Sequence, residues 1–483
     1  MRPRRAPRVV DALGNWKLGE GPLFERLADA MRVAIERGTL PIGARLPSER
    51  TLADQLRLSR STVVAAYERL KADRRVHTQR GSGTYVGGDA AIPSGRSIAA
   101  DHLISILDTR HEPSRVVEFT VAALPGSQEL TVANDAVARY LGELAQQTLG
   151  YVPLGLPALR RQIAQTYVSR GLETSEDQIL VTTGAQQAIY LVAQLFNGER
   201  IAIEDPTNPA SIDAFRANDA ELVALPIDAE GADPKPIESA APAMVPRAAY
   251  IADTYNNPTG TVLSRKRRER FVALARTHRF TLIEDETLCD ISLEETEPPP
   301  PIAALDRNVA VISIGSACKL FWGGLRIGWI RSSADVIAQL YPLKTVADLG
   351  TSLVSQALTA ELLPFRERVR AERRRQLGER YAVVEESLRR LLPDWSWDRP
   401  RGGSSVWIEL ARGNAAAFAQ FAARYDIKIA PGPVFSVADR HQRRLRLPFV
   451  LDPHELAAGI ERLAHVWQLY KPHSMTMALD AVI

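Results

Sequence analysis

Residues Val311 to Arg331 read VISIGSACKLFWGGLRIGWIR. Val311-Ile312-Ser313-Ile314 is apolar and β-branched, and it predicts a short buried strand. Gly315-Ser316-Ala317 predicts a sharp turn at its end. Lys319 follows at once, with Gly323, Gly324 and Arg326 close behind. A lysine just past a buried strand end is partly desolvated. Desolvation disfavours the ammonium and frees the amine for Schiff-base chemistry. Ser316 and Arg326 flank it, and both can bind phosphate oxygens, the arginine through two bonds. Taken alone, a lysine here reads as a surface residue near a loop. The rest of the chain reverses that reading.

Outward from this run, over 114–475, strand and helix patterns alternate. Strands are predicted at Gln178–Thr182, Arg200–Ile203, Leu222–Leu225, Tyr250–Asp253, Thr281–Glu284 and Val309–Ile314. Helices are predicted at Ala185–Phe196, Pro209–Asn218 and Arg265–Thr277. Such alternation implies an α/β domain with a mostly parallel sheet covered by helices. Ligands in these sheets bind beyond the carboxyl ends of the strands, and the polar motifs stand there. Thr182-Thr183-Gly184-Ala185-Gln186 joins a strand to a helix, whose free N–H groups suit a phosphate. Asn257, in Tyr255-Asn256-Asn257-Pro258-Thr259-Gly260, can donate to a phenolate oxygen. Asp285 ends a strand in Ile283-Glu284-Asp285-Glu286 and can pair with a pyridinium nitrogen. Glu284 and Glu286 read as supporting or capping groups. Arg446, in the apolar run Leu445-Arg446-Leu447-Pro448-Phe449, is a candidate carboxylate fork. Each motif alone also fits an ordinary turn or core. A lysine amine beside a phosphate clamp is what pyridoxal phosphate requires.

Together the ordered motifs, Tyr151…Gly155, Gly184-Ala185, Asn257-Pro258, Asp285, Ser316…Lys319, Arg326 and Arg446, resemble fold-type-I, aspartate-aminotransferase-like enzymes. The resemblance implies pyridoxal 5'-phosphate as cofactor, with Lys319 as the internal-aldimine lysine and Asp285 on the pyridine nitrogen. It places Asn257 on the ring 3-oxygen. Gly184, Ala185, Ser316 and Arg326 would hold the phosphate, with Tyr151 reaching it from a second subunit. Arg446 would hold a substrate or effector carboxylate. Two positions depart from the pattern: Asn208 stands where relatives carry a stacking aromatic, and Thr287 and Leu288 stand where they carry a tyrosine.

The first 90 residues carry 17 Lys/Arg against 10 Asp/Glu, whereas the remainder carries 43 against 47. The basic end is therefore a candidate for a polyanion partner. Leu23, Leu27, Ala30, Met31, Ala34 and Ile35 recur at helical period, and Gly38 ends that helix. Ser48 is the predicted N-cap of a second helix, and Leu58-Ser59-Arg60-Ser61-Thr62 begins a third, the two joined by a tight turn. Val63, Tyr67 and Leu70 form the buried stripe of the last one, leaving Arg60, Ser61 and Arg69 to solvent. Val76–Val86 reads as a hairpin with a basic tip at Gln79-Arg80-Gly81-Ser82-Gly83. The pattern is a helix-turn-helix with a wing. The motifs Arg45-Leu46-Pro47-Ser48-Glu49-Arg50, Ser59-Arg60-Ser61-Thr62-Val63 and Arg80-Gly81-Ser82-Gly83-Thr84-Tyr85-Val86 resemble the winged-helix domain of GntR-family regulators. That resemblance implies operator DNA contact by Arg50, Ser59, Arg60, Ser61, Arg80 and Gly81.

The domain expectation is 1–88 winged helix-turn-helix, 89–113 linker with a short helix near His102–Leu107, 114–475 aminotransferase-like domain and 476–483 tail. Hydrophobic content of 45% and charged content of 24% are those of a soluble globular protein. No apolar run approaches the roughly 20 residues of a membrane span. Cys289 and Cys318 sit in separate motifs and suggest a reducing cytoplasm. The fused arrangement resembles the MocR subfamily of GntR regulators. It implies a homodimeric transcriptional regulator that senses pyridoxal phosphate or its adduct with an amine or amino-acid effector. The alternative is an active aminotransferase with a regulatory DNA-binding domain. A third reading, a cofactor-free regulator binding an acidic ligand through Arg326 and Arg446, leaves Lys319 and Asp285 without a purpose.

Overall fold

The computed structural model describes residues 9, 13, 16, 21–36, 40, 44–73, 75–79, 83–86 and 116–471. The chain divides into two units, Met1–Ser97 and Ile98–Ile483, each with its own hydrophobic core.

In the first unit, the helix Leu23–Glu36 turns Leu27, Ala28, Met31 and Ala34 inward, as its apolar period requires. Ser48 caps the helix Glu49–Leu56 by accepting the Thr51 N–H at 3.1 Å. Ser59 caps the helix Arg60–Ala72 by accepting the Thr62 N–H, also at 3.1 Å. Each cap satisfies a helix donor that would otherwise lack a partner. Between these helices Arg57 adopts a left-handed backbone, φ 54°, and closes the turn on the carbonyls of Ala53 and Asp54. Val63, Ala66, Tyr67 and Leu70 are buried. The Tyr67 hydroxyl donates to the Pro47 carbonyl at 2.9 Å, which ties the Leu46-Pro47-Ser48 turn to the last helix. Strands β1 (Val76–Gln79) and β2 (Gly83–Val86) pair antiparallel. The intervening tip with Arg80 and Gly81, Gly38, the 89–113 linker and the 476–483 tail lie outside the described residues.

The second unit contains strands β3 (Val117–Phe119), β4 (Ile179–Thr182), β5 (Arg200–Asp205), β6 (Glu221–Asp228), β7 (Gly231–Ala232) and β8 (Ala248–Ile251). These are followed by β9 (Thr281–Asp285), β10 (Val311–Ser316), β11 (Gly328–Arg331), β12 (Ser396–Trp397), β13 (Ser405–Glu409), β14 (Ile427–Pro431) and β15 (Arg444–Pro448). The large sheet has the order β4-β11-β10-β9-β8-β5-β6-β7. Its centre, β10-β9-β8-β5-β6, is parallel. β11 is antiparallel to both β10 and β4, so β4 again runs with the central strands. Thr182, Asp205, Asp285 and Ser316 therefore end their strands at one edge. Helices cover the sheet, as a parallel sheet buried on both faces requires. A second sheet, β12-β13-β15-β14-β3, carries Arg446 on β15. No helix among the described residues is long and apolar enough to cross a membrane.

One local expectation is corrected. Gly315 and Ser316 do not form the turn before Lys319. They continue β10 and pair with Trp329 and Gly328 of β11. Trp329 explains why a glycine stands at 315: a Cβ there would lie 2.2 Å from the indole. The turn starts at Ala317.

Candidate functional site

The carboxyl edge of the large sheet opens into a cavity of about 350 Å³. Lys319, Asp285, Asn257, Arg326 and Arg446 all line it, together with Asn208, Thr287 and Leu288. Thr120–Ala123 and Gly402–Ser405 close it from the second sheet's side. The structure thus gathers, at one cavity, residues that lie up to 326 positions apart.

Lys319 follows the end of β10, and its Nζ donates to the Ala122 carbonyl at 2.9 Å. Burial pulls its ammonium down to about 8, and Arg446 and Arg326 push the same way against the opposing Cys318 and Asp285. Asp285 is buried at the end of β9. The Thr287 N–H donates to its Oδ1 at 2.9 Å, and the Tyr250 hydroxyl donates to its Oδ2. Burial raises the Asp285 pKa, and these two donors oppose it.

Arg446 is buried above the Phe435 ring, with its guanidinium carbon 5.0 Å from the ring centroid. It donates to Asn257 Oδ1 at 3.2 Å and to the Thr120 carbonyl. Its Nε is buried and has no hydrogen-bond partner in the protein. Desolvation draws its pKa down to about 10. A buried cation bordering a cavity is a place for an anionic oxygen.

At the other side of Lys319 lies a cradle. Gly184, φ 79°, is the N-cap of the helix Ala185–Leu195 and supplies no capping side chain. A Cβ at 184 would sit 2.9 Å from Arg326 Nη2, so glycine is what lets the guanidinium approach the helix terminus. Gly328 is similarly required, because a Cβ there would lie 2.6 Å from Gly184 C and Ala185 N. Arg326 Nη2 donates to the Thr183 carbonyl at 3.3 Å. Ser316 lies just behind: its Oγ accepts the Cys318 N–H at 3.1 Å and donates to the Ile327 carbonyl at 3.2 Å. Gly184, Ala185 and Ser316 are not among the lining residues of the main cavity, and neither is Tyr151, which is 70% exposed.

The two departures are visible too. The Asn208 side chain caps the helix Pro209–Ala217 through the Ala210 N–H. Leu288 presents an apolar wall where a hydroxyl was expected from the pattern. Glu284 accepts from Ser313 Oγ at 2.5 Å and from the Ile302 N–H at 2.6 Å, and Glu286 pairs with Arg170 at 2.5 Å. Both are supporting groups, as expected.

Three residues at the site escaped the sequence reading. Tyr250 sits in β8 between apolar neighbours and reads as core. Glu204, buried and pushed up to about 8, accepts from the Ala252 N–H and from Asn256 Nδ2, and so holds the loop that carries Asn257. Asp348 accepts from Thr183 Oγ1 at 3.1 Å, Gln187 Nε2 at 2.9 Å and Lys344 Nζ at 2.5 Å, bracing the cradle from 165 residues away.

In the first unit Arg50, Ser59, Arg60 and Ser61 are exposed along one helix pair. The Arg60 side chain is 72% exposed and reaches Glu49 at 3.4 Å. Ser59 Oγ is engaged in its own helix cap and with Ser61 Oγ at 2.9 Å.

Residues 114–463 match the family Aminotransferase class I and II. The chain belongs to that family. Residues 23–86 match Bacterial regulatory proteins, gntR family, and the two matches in one chain give the MocR-type arrangement. The chain is 29% identical to the Bacillus subtilis HTH-type transcriptional regulator YdfD over 82% of this chain and 86% of that protein. It is 29% identical to a Thermus thermophilus 2-aminoadipate transaminase over 68% of this chain and 84% of that one. The crystal structure of LysN, an alpha-aminoadipate aminotransferase of Thermus thermophilus complexed with N-(5'-phosphopyridoxyl)-L-leucine, superposes with a TM-score of 0.69. That match has 27% identity and covers 77% of this chain and 95% of that chain.

Proposed function

We propose that this chain is a cytoplasmic, homodimeric transcriptional regulator. It holds pyridoxal 5'-phosphate in the large unit, and an amine or amino-acid effector that joins the cofactor changes operator binding by the winged helix. The observation that carries this reading is the cavity's donor set. A lysine of lowered pKa, a buried carboxylate, Arg326 and the buried cation Arg446 surround one space, and Arg326 also approaches an uncapped helix terminus. They fit a phosphorylated pyridine aldehyde group by group.

The cofactor supplies an aldehyde that condenses with amines and a ring that withdraws electrons. Lys319 supplies the amine, neutral enough near pH 8 to react. Asp285 would pair with the pyridine nitrogen and favour a proton there. Asn257 would serve the ring oxygen. The N–H groups at Gly184 and Ala185 would hold the phosphate with Ser316 and Arg326. Arg446 would take the effector's carboxylate through its guanidinium. Arg50, Ser59, Arg60, Ser61, Arg80 and Gly81 form the operator-reading set, and the domain boundaries are those set out above.

The homodimer rests on an exposed apolar strip. Leu149 is 94% exposed, Val346 89% and Leu349 53%. A Cβ on Gly350 would lie 3.1 Å from the Val152 carbonyl, so the segment after Tyr151 lies against the segment after Leu349. Exposed apolar side chains of this kind mark an association surface, and Tyr151, 70% exposed, is open to a partner. Two winged helices per dimer suit paired half-sites.

The test is a visible absorbance spectrum of the purified protein, followed by DNA titrations with and without a panel of amino acids. A cofactor band, shifted by an effector that also changes operator affinity, is expected. A protein without the band, or with operator affinity indifferent to every amine that shifts it, would defeat the reading. Multiple-turnover keto-acid formation at about 1–1000 per second would favour the enzyme instead.

A further inference from the structure

Tyr250 is buried in β8, with its ring edge-on to Phe215 at 5.7 Å. It stands opposite Ile283 of β9. Asp285 lies two residues beyond Ile283 and so projects from the same face of the sheet. The phenol bridges that gap and donates to Asp285 Oδ2, and it also bonds Ser211. Its partner oxygen, Oδ1, receives the Thr287 N–H. The titratable groups facing Asp285 are Tyr250 from β8, Glu204 from β5, Glu286 beside it and Lys319 after β10. Of these, Tyr250 alone bonds the carboxylate.

We infer that Tyr250 is a positioning residue: its phenol keeps Asp285 ionised and aimed into the cavity, and thereby sets how firmly a proton stays on the cofactor's pyridine nitrogen. This rests on the cofactor reading above. Two arrangements of one proton compete, nitrogen protonated against a carboxylate anion, and bare nitrogen against a neutral acid. A donor on the carboxylate stabilises the first. Burial raises the phenol's own pKa well above its usual value, so the hydroxyl remains a donor throughout the working range. The sign follows: removing the donor moves the proton from ring to carboxylate.

The test uses the full chain loaded with pyridoxal phosphate labelled with 15N in the ring. The ring nitrogen shift is followed against pH by NMR. In Tyr250→Phe the plateau shift between the acid and alkaline transitions is expected to move toward the unprotonated-nitrogen value, a fall of about tenfold in the ratio of ring-protonated to carboxyl-protonated forms. Incorporating 3-fluorotyrosine at 250, a stronger donor of nearly the same shape, should move the plateau toward the protonated value, and this variant answers the question if Tyr250→Phe fails to fold. In an Asp285→Asn background, Tyr250→Phe should add nothing. An unchanged plateau shift in both variants, or an equal displacement in the Asp285→Asn background, overturns the inference while leaving the cofactor reading standing. Wild-type protein that binds no labelled cofactor overturns both.

Discussion

The two units use arginine in opposite ways. In the winged helix, Arg50 and Arg60 stand in water, and Arg60 has one exposed, long contact with Glu49. In the large unit, Arg268, Arg373 and Arg446 are buried. Arg268 bonds Asp253 at 2.5 Å and the carbonyls of Asp253, Leu263 and Pro300. Arg373 bonds the carbonyls of Pro125, Leu320 and Phe321. An exposed guanidinium keeps its hydration and remains available to a polyanion. Arg268 and Arg373 are committed to the backbone that they organise, whereas Arg446 borders the cavity. Exposure therefore separates arginines that read a partner from those that hold the frame.

The largest effect expected in this comparison is at the centre of the buried network. Lys319→Ala should abolish covalent attachment of the cofactor and its visible band while leaving the fold and DNA binding by the first unit intact. Borohydride reduction and mass spectrometry check it, and an adduct found on another lysine would refute the assignment. Arg268→Ala comes next. It strands Asp253, which is fully buried and whose Oδ1 already lacks a partner, at a cost of about 3–5 kcal/mol. The large unit's melting transition should fall while that of the winged helix stays put. A loss under about 1 kcal/mol would place Arg268 with the surface pairs.

The motifs at strand ends were legible because each is contiguous: Asp285, Asn257-Pro258, Gly184-Ala185 and Lys319 carry their chemistry within a few residues. The helix cap at Ser48 was legible for the same reason, and the start of the next helix at Ser59 was too, though its capping role was not. The braces were not. Tyr250 reaches Asp285 across two strands, and Asp348 reaches Thr183 across 165 residues; neither leaves a local signature. The extension of β10 through Ser316 depends on pairing with β11, whose antiparallel return no local pattern announces. The second sheet is the extreme case, since β3 pairs with β14 from the far end of the chain.

On the exposed side, Arg60→Ala is expected to weaken specific operator binding by about 1–3 kcal/mol if it meets a base edge. The salt slope should decrease as well if it touches phosphate. An unchanged titration against the protein's own promoter region would move the reading role elsewhere. The buried side predicts a pH dependence instead. With its ammonium drawn down to about 8, Lys319 is protonated at lower pH and unreactive. Cofactor uptake should therefore accelerate about tenfold per pH unit below that value and level off above it. A rise continuing to about pH 10, the ordinary lysine range, would show that burial does not tune this amine.

The smallest effect sharpens the comparison most, because Ser59 belongs to both categories. The GntR pattern places it on DNA, whereas the structure gives its Oγ to the Thr62 N–H and to Ser61. Ser59→Ala removes the cap and should cost the winged helix about 1 kcal/mol, with a comparable loss of operator affinity from a frayed helix start. Ser59→Asn restores a capping oxygen without restoring the hydroxyl. If Ser59 acts by shaping the helix, Asn at this position recovers both melting temperature and operator affinity. If its hydroxyl bonds DNA directly, stability returns and affinity does not. Parallel thermal melts and DNA titrations on the two variants separate these outcomes, since a framing residue must move both quantities together and a reading residue moves only one.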